Sequence, residues 1–248
     1  MDNGLDKFYT NKDIAKYCAD IFMEYVPDDS TIVEPSAGDG AFIEYTSIAI
    51  DIEPENSKIQ QLDFFDFNAK DYKYYLGNPP FGKNSALAKK FFNHAAKGCG
   101  VIGFILPRTF RKVTITNAID LNFHKVYEEI LPENSFLLAG KAKAVPCVFQ
   151  VWEYREVKRD KVKLKTTHED FVFTDVENCD FSLRRVGANA GKINPHNNFS
   201  ASSNYFIQGS VLNKFKELEP EFIKLAKDTA GNPSLGKGEI VLLYDRYN

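Results

Sequence analysis

Apolar residues recur along the first 154 positions in short blocks whose spacing alternates between helical and extended. Over residues 11–25 they fall at Ile14, Ala15, Cys18, Ile21, Phe22 and Tyr25, the one-sided spacing of an amphipathic helix with Thr10 or Asn11 as its N-cap. Residues 31–33 and 48–52 read as buried strands, Leu62 ends a third, and residues 72–76 form a fourth. Helical spacing returns over residues 86–96, with Leu87, Phe91, Phe92 and Ala95 on one side. Residues 101–106 are an uninterrupted apolar run stopped by Pro107, the pattern of a central parallel strand. Residues 123–130 and 145–152 add two more strands. Strands alternating with helices predict an α/β fold, a doubly wound and mostly parallel sheet.

The pattern changes after Tyr154. Residues 155–165 are charge-dense and predict an exposed strand or connector, and residues 187–210 are rich in Gly, Asn and Ser and predict long loops. Residues 212–227 predict a closing helix and residues 239–244 a last short strand. The expected organisation is one domain over residues 1–154 and a smaller region over residues 155–248, with no internal repeat.

Two motifs sit at predicted strand ends. The first is Glu34-Pro35-Ser36-Ala37-Gly38-Asp39-Gly40-Ala41-Phe42, an acid and two glycines directly after a hydrophobic run. Glycines there let a backbone approach a ligand where a side chain would block it. The second is Asn78-Pro79-Pro80-Phe81. Each proline fixes its own φ and restrains the residue before it, so the turn is rigid. It presents an amide side chain, a backbone carbonyl and an aromatic face at one point, which suits the exocyclic amino group of a flat base.

Together, in this order, the motifs resemble the N6-adenine DNA methyltransferases that use S-adenosylmethionine (SAM), in the gamma arrangement. There the cofactor motif comes first, the Asn-Pro-Pro-aromatic motif second and the DNA-recognition part last. The resemblance implies a class I methyltransferase fold over residues 1–154 and a small target-recognition region over residues 155–248. It implies that Glu34 caps the loop or meets the cofactor's amino group, and that Ser36, Ala37, Gly38 and Gly40 approach its methionine part. Asp51 would grip the ribose hydroxyls with Ile52 against the adenine, Glu53 being the fallback because the segment after Gly40 is short. Asp63, followed by Phe64, would accept from the adenine amino group, and Phe8-Tyr9-Thr10 would close over the methionine end. Asn78 and Pro79 would accept hydrogen bonds from the target amino group, with Pro80 stiffening the turn. Phe81 would stack on the base after it is rotated out of duplex DNA, worth roughly 1–3 kcal/mol. Phe136 is either a second stacking aromatic or a core residue, and Arg108 either reaches a phosphate or pairs with an acid.

Composition narrows the class. The 248 residues are 44% hydrophobic and 14% aromatic, enough for a packed core. The net charge of −3 is unevenly spread. Residues 1–140 hold 14 Lys and Arg against 20 Asp and Glu, a balance of −6, and residues 141–248 hold 17 against 14, or +3. No acid occurs over residues 181–216, where Arg184, Arg185, Lys192, Lys214 and Lys216 lie, so this stretch is the expected nucleic-acid contact through Arg184, Arg185 and Lys192. Cys18, Cys99, Cys147 and Cys179 show no metal-binding spacing, and His94, His124, His168 and His196 adjoin no nucleophile loop. No metal is expected. The start MDNGLDKFYT has neither a basic nor an apolar leader, and no run reaches membrane-spanning length, so a soluble, cytoplasmic protein is expected. RNA adenine methylation shares the pocket residues but leaves residues 155–248 without a role. Methylation of a protein glutamine uses similar Asn-Pro-Pro loops, but normally after a helical domain for which residues 1–33 leave no room. A binder without chemistry is the remaining reading, against which stand Asn78 and both glycines.

Overall fold

The alternation of helical and extended blocks resolves into a central sheet in a computed structural model that describes residues 9–138, 141–195 and 200–247. The chain divides into two units that meet between Lys161 and Val162. The first contains β1 (Tyr9–Thr10), α1 (Lys12–Met23), β2 (Ile32–Glu34), β3 (Ile48–Asp51), β4 (Gln60–Gln61), β5 (Tyr74–Gly77) and α2 (Ala86–Ala95). It continues through β6 (Val101–Pro107), α3 (Val113–Thr116), β7 (Phe123–Ile130), β8 (Phe136–Leu138), β9 (Lys141–Lys143) and β10 (Cys147–Tyr154). Seven of these strands form one sheet in the order β4-β3-β2-β5-β6-β10-β7. The pairs from β4 to β6 are parallel, and β10 runs against both its neighbours, so it alone is reversed. This is a doubly wound, mostly parallel α/β sheet.

Both faces of the central strands β2, β5, β6 and β10 are buried, which is why these strands read as apolar runs rather than alternations. Along β6, Ile102, Phe104 and Leu106 pack beneath α2 with Tyr75, Phe92 and Trp152. Val101 and Ile105 face the other way, toward Ala15, Cys18, Ala19 and Phe22 of α1. α1 starts where its Asn11 cap accepts a hydrogen bond from the Asp13 amide at 2.9 Å. Burial of Phe22, fully removed from solvent, contributes about 1.5–3 kcal/mol.

Residues 40–45 form hydrogen-bonded turns (Ile43 N to Gly40 O, 3.2 Å; Tyr45 N to Phe42 O, 2.8 Å) and no α-helix, pinned by buried Phe42. β3 follows almost at once. A second, three-stranded sheet has the order β1-β8-β9.

The charge-dense run after Tyr154 is a connector without strand structure, and its first half is fastened to the first unit. Arg155 N donates to Asn122 O (2.7 Å) and Arg159 N to Leu121 O (2.8 Å). The Arg159 side chain reaches Phe123 O at 2.6 Å and Thr116 O at 2.8 Å and covers the Trp152 ring at 5.4 Å. These bonds move the division beyond the composition change at Arg155.

The second unit is a four-stranded antiparallel sheet, β11 (Val172–Thr174), β12 (Phe181–Arg184), β13 (Ile193–Asn194) and β14 (Asn204–Gln208), ordered β11-β14-β12-β13, with α4 (Leu212–Ala226) and α5 (Lys237–Arg246). Its core joins Phe171, Phe181, Ile207, Phe215, Phe222 and Tyr244. Two expectations are corrected here. The Gly-, Asn- and Ser-rich stretch contains β13 and β14, and residues 239–244 lie in a helix. The apolar run in α5 is rich in strand formers, but Glu239 reaches back to accept from the Gly236 amide at 2.7 Å and starts a helix, whose Ile240, Val241, Leu243 and Tyr244 bury into the core. Among the described residues no helix is long and apolar enough to cross a membrane.

Candidate active site

The glycine loop leaves β2 at Glu34 and is held by β3. Ala37 N donates to Ile50 O at 3.0 Å, and Gly38 N to Asp51 Oδ2 at 2.8 Å. The other Asp51 oxygen accepts from Glu53 N at 2.8 Å, so this one carboxylate shapes the turns on both sides. Gly38 (φ +54°) has the Tyr9 ring above it, and a Cβ there would stand 3.3 Å from Tyr9 Cε1. The Tyr9 hydroxyl donates to Glu55, whose own amide donates to Gly38 O at 3.0 Å. Burial, then Glu55, pushes the Tyr9 phenol well up. Gly40 (φ +92°) turns the chain beside Asn56.

Glu34 is 2% exposed, and its Oε2 is buried without a hydrogen-bond partner. Burial first, and then the charges of Asp39 and Asp51, push its carboxyl up to about 8. Gly77, the last residue of β5, passes so closely that a Cβ on it would lie 3.3 Å from Glu34 Cγ.

The Asn-Pro-Pro loop follows at once. Ser36 Oγ donates to the Asn78 carbonyl at 3.1 Å, joining the two motifs directly. Asn78 Oδ1 is buried without a hydrogen-bond partner. Leaving such an acceptor unpaired costs about 1–3 kcal/mol. Beyond it, Phe81 meets Phe136 edge-on at 6.2 Å and 88°. Gly82, Asn84 and Ser85 all have left-handed φ (66°, 53° and 59°), a strained run for two residues that carry a Cβ. The strain is held by Ala88 N to Phe81 O (3.2 Å) and by Ser85 Oγ with Thr109 Oγ1 (2.5 Å). Pro79 is buried and Pro80 half-buried.

Other expected residues are placed as follows. Ile52, 57% exposed beyond β3, offers an open apolar face. Asp63 caps a turn through Oδ1 to Phe65 N (2.9 Å). Both Phe64 and Phe65 meet Phe91 and His94, but Phe64 is also covered by Phe67 and Tyr75 and is 2% exposed, so the exposed ring of the two is Phe65. Thr10 is buried, paired in register with Phe136. Phe136, 1% exposed, packs as core, and the structure gives it no free stacking face. Arg108 opens the turn after β6, its amide donating to Pro146 O at 3.2 Å.

Within the second unit, Arg184 is spent locally, donating to Val186 O (3.1 Å) and Ser203 Oγ (2.9 Å). Arg185 lies over Tyr205 at 4.8 Å, and Lys192 is exposed. Sequence reasoning missed Glu55, the Ser36–Asn78 bond and Ser85, none of which a motif marks. Phe8 and His196 lie outside the described residues. Among the described residues no group of three His, Cys, Asp or Glu is placed to hold a metal.

No protein-family profile matches the chain, and neither does the sequence of any curated protein. Solved structures do resemble it. A modification subunit of a candidate type I restriction enzyme from Vibrio vulnificus superposes with a TM-score of 0.47 at 13% identity, over 62% of this chain and 46% of that one. The match therefore spans less than half of that protein. A candidate RNA methyltransferase from Pyrococcus horikoshii gives 0.45 at 12% identity over 61% of this chain and 88% of that one. A Thermoplasma acidophilum protein gives 0.44 at 16% over 62% and 94%. The strand order and the single reversed strand define the fold class.

Proposed function

We propose that this protein transfers a methyl group from SAM to the N6 amino group of adenine in DNA. The observation that carries the reading is Asn78 Oδ1, a buried acceptor with no partner on a loop held rigid on both sides. A donor from another molecule completes it, and an exocyclic amino group is such a donor.

The cofactor end of the site fits SAM. The unpartnered carboxyl of Glu34 suits a cationic amino group, and the bare Gly38 beneath the Tyr9 ring suits a ligand backbone. Asp51 uses one lone pair of each oxygen on backbone amides, and a carboxylate offers roughly four acceptor sites, so ribose hydroxyls can share it. Asp63 keeps Oδ2 for an adenine amino group while Oδ1 caps its turn. When bound, SAM supplies an electrophilic methyl.

The chain's own residues do the rest. An adenine amino group is a poor nucleophile because its lone pair is delocalised into the ring. Hydrogen bonds from it to Asn78 Oδ1 and the Pro79 carbonyl draw the nitrogen toward tetrahedral geometry and localise that pair. Phe81 supports the base by stacking, and the spare proton leaves the nitrogen after the new bond forms, so no strong base is needed. Alignment and charge stabilisation are the enzyme's contribution. Residues 162–247, folded with their own core, favour DNA over RNA as the partner, because a recognition unit gives them a role.

The test is base-resolution mapping of N6-methyladenine in DNA from cells expressing the protein, beside cells expressing Asn78→Ala. Methylated adenines at a recurring sequence in the first and none in the second are expected. Faster transfer in vitro to structured RNA than to matched duplex DNA would defeat the DNA assignment, and transfer to a glutamine peptide would defeat the base.

A further inference from the structure

The outermost strand of the small sheet places positive charge beside the target loop. Register pairs Thr10 with Phe136 and Phe136 with Lys143, so the three side chains form one row across a single face. The row runs from buried Thr10 through buried Phe136, which touches Phe81, to exposed Lys143. Lys141, two residues earlier on β9, projects to the same face about 7 Å along the strand and is also exposed. Lys83, two residues after Phe81 and at the start of the strained turn, is exposed as well. Lys143 is thus one strand away from the ring that meets Phe81, Lys141 lies on the same edge, and Lys83 lies two residues beyond Phe81 in the chain, all in a region whose overall balance is acidic.

We propose that Lys83, Lys141 and Lys143 grip the nucleic-acid backbone on either side of the extruded base. The inference rests on the methyltransferase reading above and adds to it a phosphate-binding rim on the catalytic unit, apart from the basic stretch of the second. A base held at Asn78 by its amino edge and at Phe81 by its face still swings on its sugar. Point charges on the adjoining phosphates remove that freedom, and the spacing of Lys141 and Lys143 suits successive phosphates of an extended strand. Phosphate contacts of this kind set register and carry no sequence information.

The test is equilibrium binding of a short, mixed-sequence single-stranded DNA across a salt series, with wild type, Lys141→Ala/Lys143→Ala and Lys83→Ala. Lys158→Ala/Lys161→Ala is the control, a matched charge loss at the opposite end of the strands, beside Leu121 and Asn122. The expected result is a salt slope shallower by about 0.7 for each rim lysine removed, with the control slope unchanged and SAM affinity equal throughout. Gel filtration of each variant checks that loss of edge lysines has not caused strand-edge association. Unchanged slopes in the rim variants, or equal flattening in the control, would overturn the proposal. Flattened slopes in a protein that leaves no methyl on DNA would uphold the grip and remove the methyltransferase reading instead.

Discussion

The loops that leave β2 and β5 stand side by side and share one hydrogen bond, from Ser36 to the Asn78 carbonyl, yet they are finished differently. Around the glycine loop the protein answers most of its own polar groups. Asp51 takes the amides of Gly38 and Glu53, and Glu55 takes the Tyr9 hydroxyl and gives its amide to Gly38. Around the second loop the main chain is fixed and strained, while the side-chain oxygen of Asn78 is left open. A loop completed by its own protein is a cradle whose shape precedes any ligand. A rigid loop with an orphaned acceptor is unfinished by its own protein, and under the proposed function a substrate donor completes it at no reorganisation cost.

The largest effect that would break this contrast is in transfer itself. Asn78→Ala should lower methyl transfer by at least about 100- to 1000-fold, the scale seen when one pre-aligned polar group is removed. SAM affinity, measured by calorimetry, should stay within a few-fold. Equal loss of both would make the second loop structural like the first. Asp51→Ala should do the reverse, weakening SAM binding far more than Glu53→Ala, because it also releases the Gly38 amide. Equal effects of the two would shift the ribose contact to Glu53.

Glu34 is the exception around the glycine loop, an unanswered carboxyl, and pH should expose it. Its folded value of about 8 lies above the ordinary 4.5, so the stability it contributes is complete below 4.5 and is lost as pH rises through 8. The melting temperature of cofactor-free protein should therefore fall across that window, and Glu34→Gln should flatten the fall while weakening SAM binding. A parallel pH profile in the variant would show that Glu34 is not the group responsible. In the second unit, Arg185→Ala should weaken DNA binding and reduce its salt slope by about one. Arg184→Ala should act mainly on stability, by about 1 kcal/mol for its lost local hydrogen bonds. The smallest effect should be that of Phe81→Tyr, which keeps the stacking face and should retain transfer within a few-fold.

The two units also differ in how far their residues announce their structure. In the first, runs such as residues 101–106 are buried on both faces, so apolar content alone marks them as strands, and Pro79 and Pro80 leave the Asn78–Phe81 loop few alternatives. β14 is different. Asn204 and Gln208 flank Tyr205, Phe206 and Ile207, and only pairing with β11 and β12, distant in sequence, makes a strand of a stretch that reads as loop. Residues 239–244 mislead in the opposite direction, because a cap at Glu239 outweighs the strand propensity of the residues it precedes. Near the site, the choice of Phe65 over Phe64 as the exposed ring depends on Phe67 and Tyr75 covering Phe64 alone, which no local pattern reveals. The position of each of Glu34 and Asp51 at a strand end is legible in the apolar run before it. That of Glu55 follows only from the turn that replaces a helix after Gly40.

The three-stranded sheet has a consequence for how the molecule comes into being. β1 carries Tyr9 to the glycine loop, and its partner β8 carries Phe136 to Phe81, so one ladder between residues 9–10 and 136–137 closes both halves of the site. Contacts so distant in sequence form late, after the entropy of the long loop between them has been overcome. On a ribosome the central strands can emerge and pair while this closing layer is still missing. The chain is then a folded sheet in which Gly38 lacks its Tyr9 cover and Phe81 its Phe136 neighbour until β8 has left the exit tunnel.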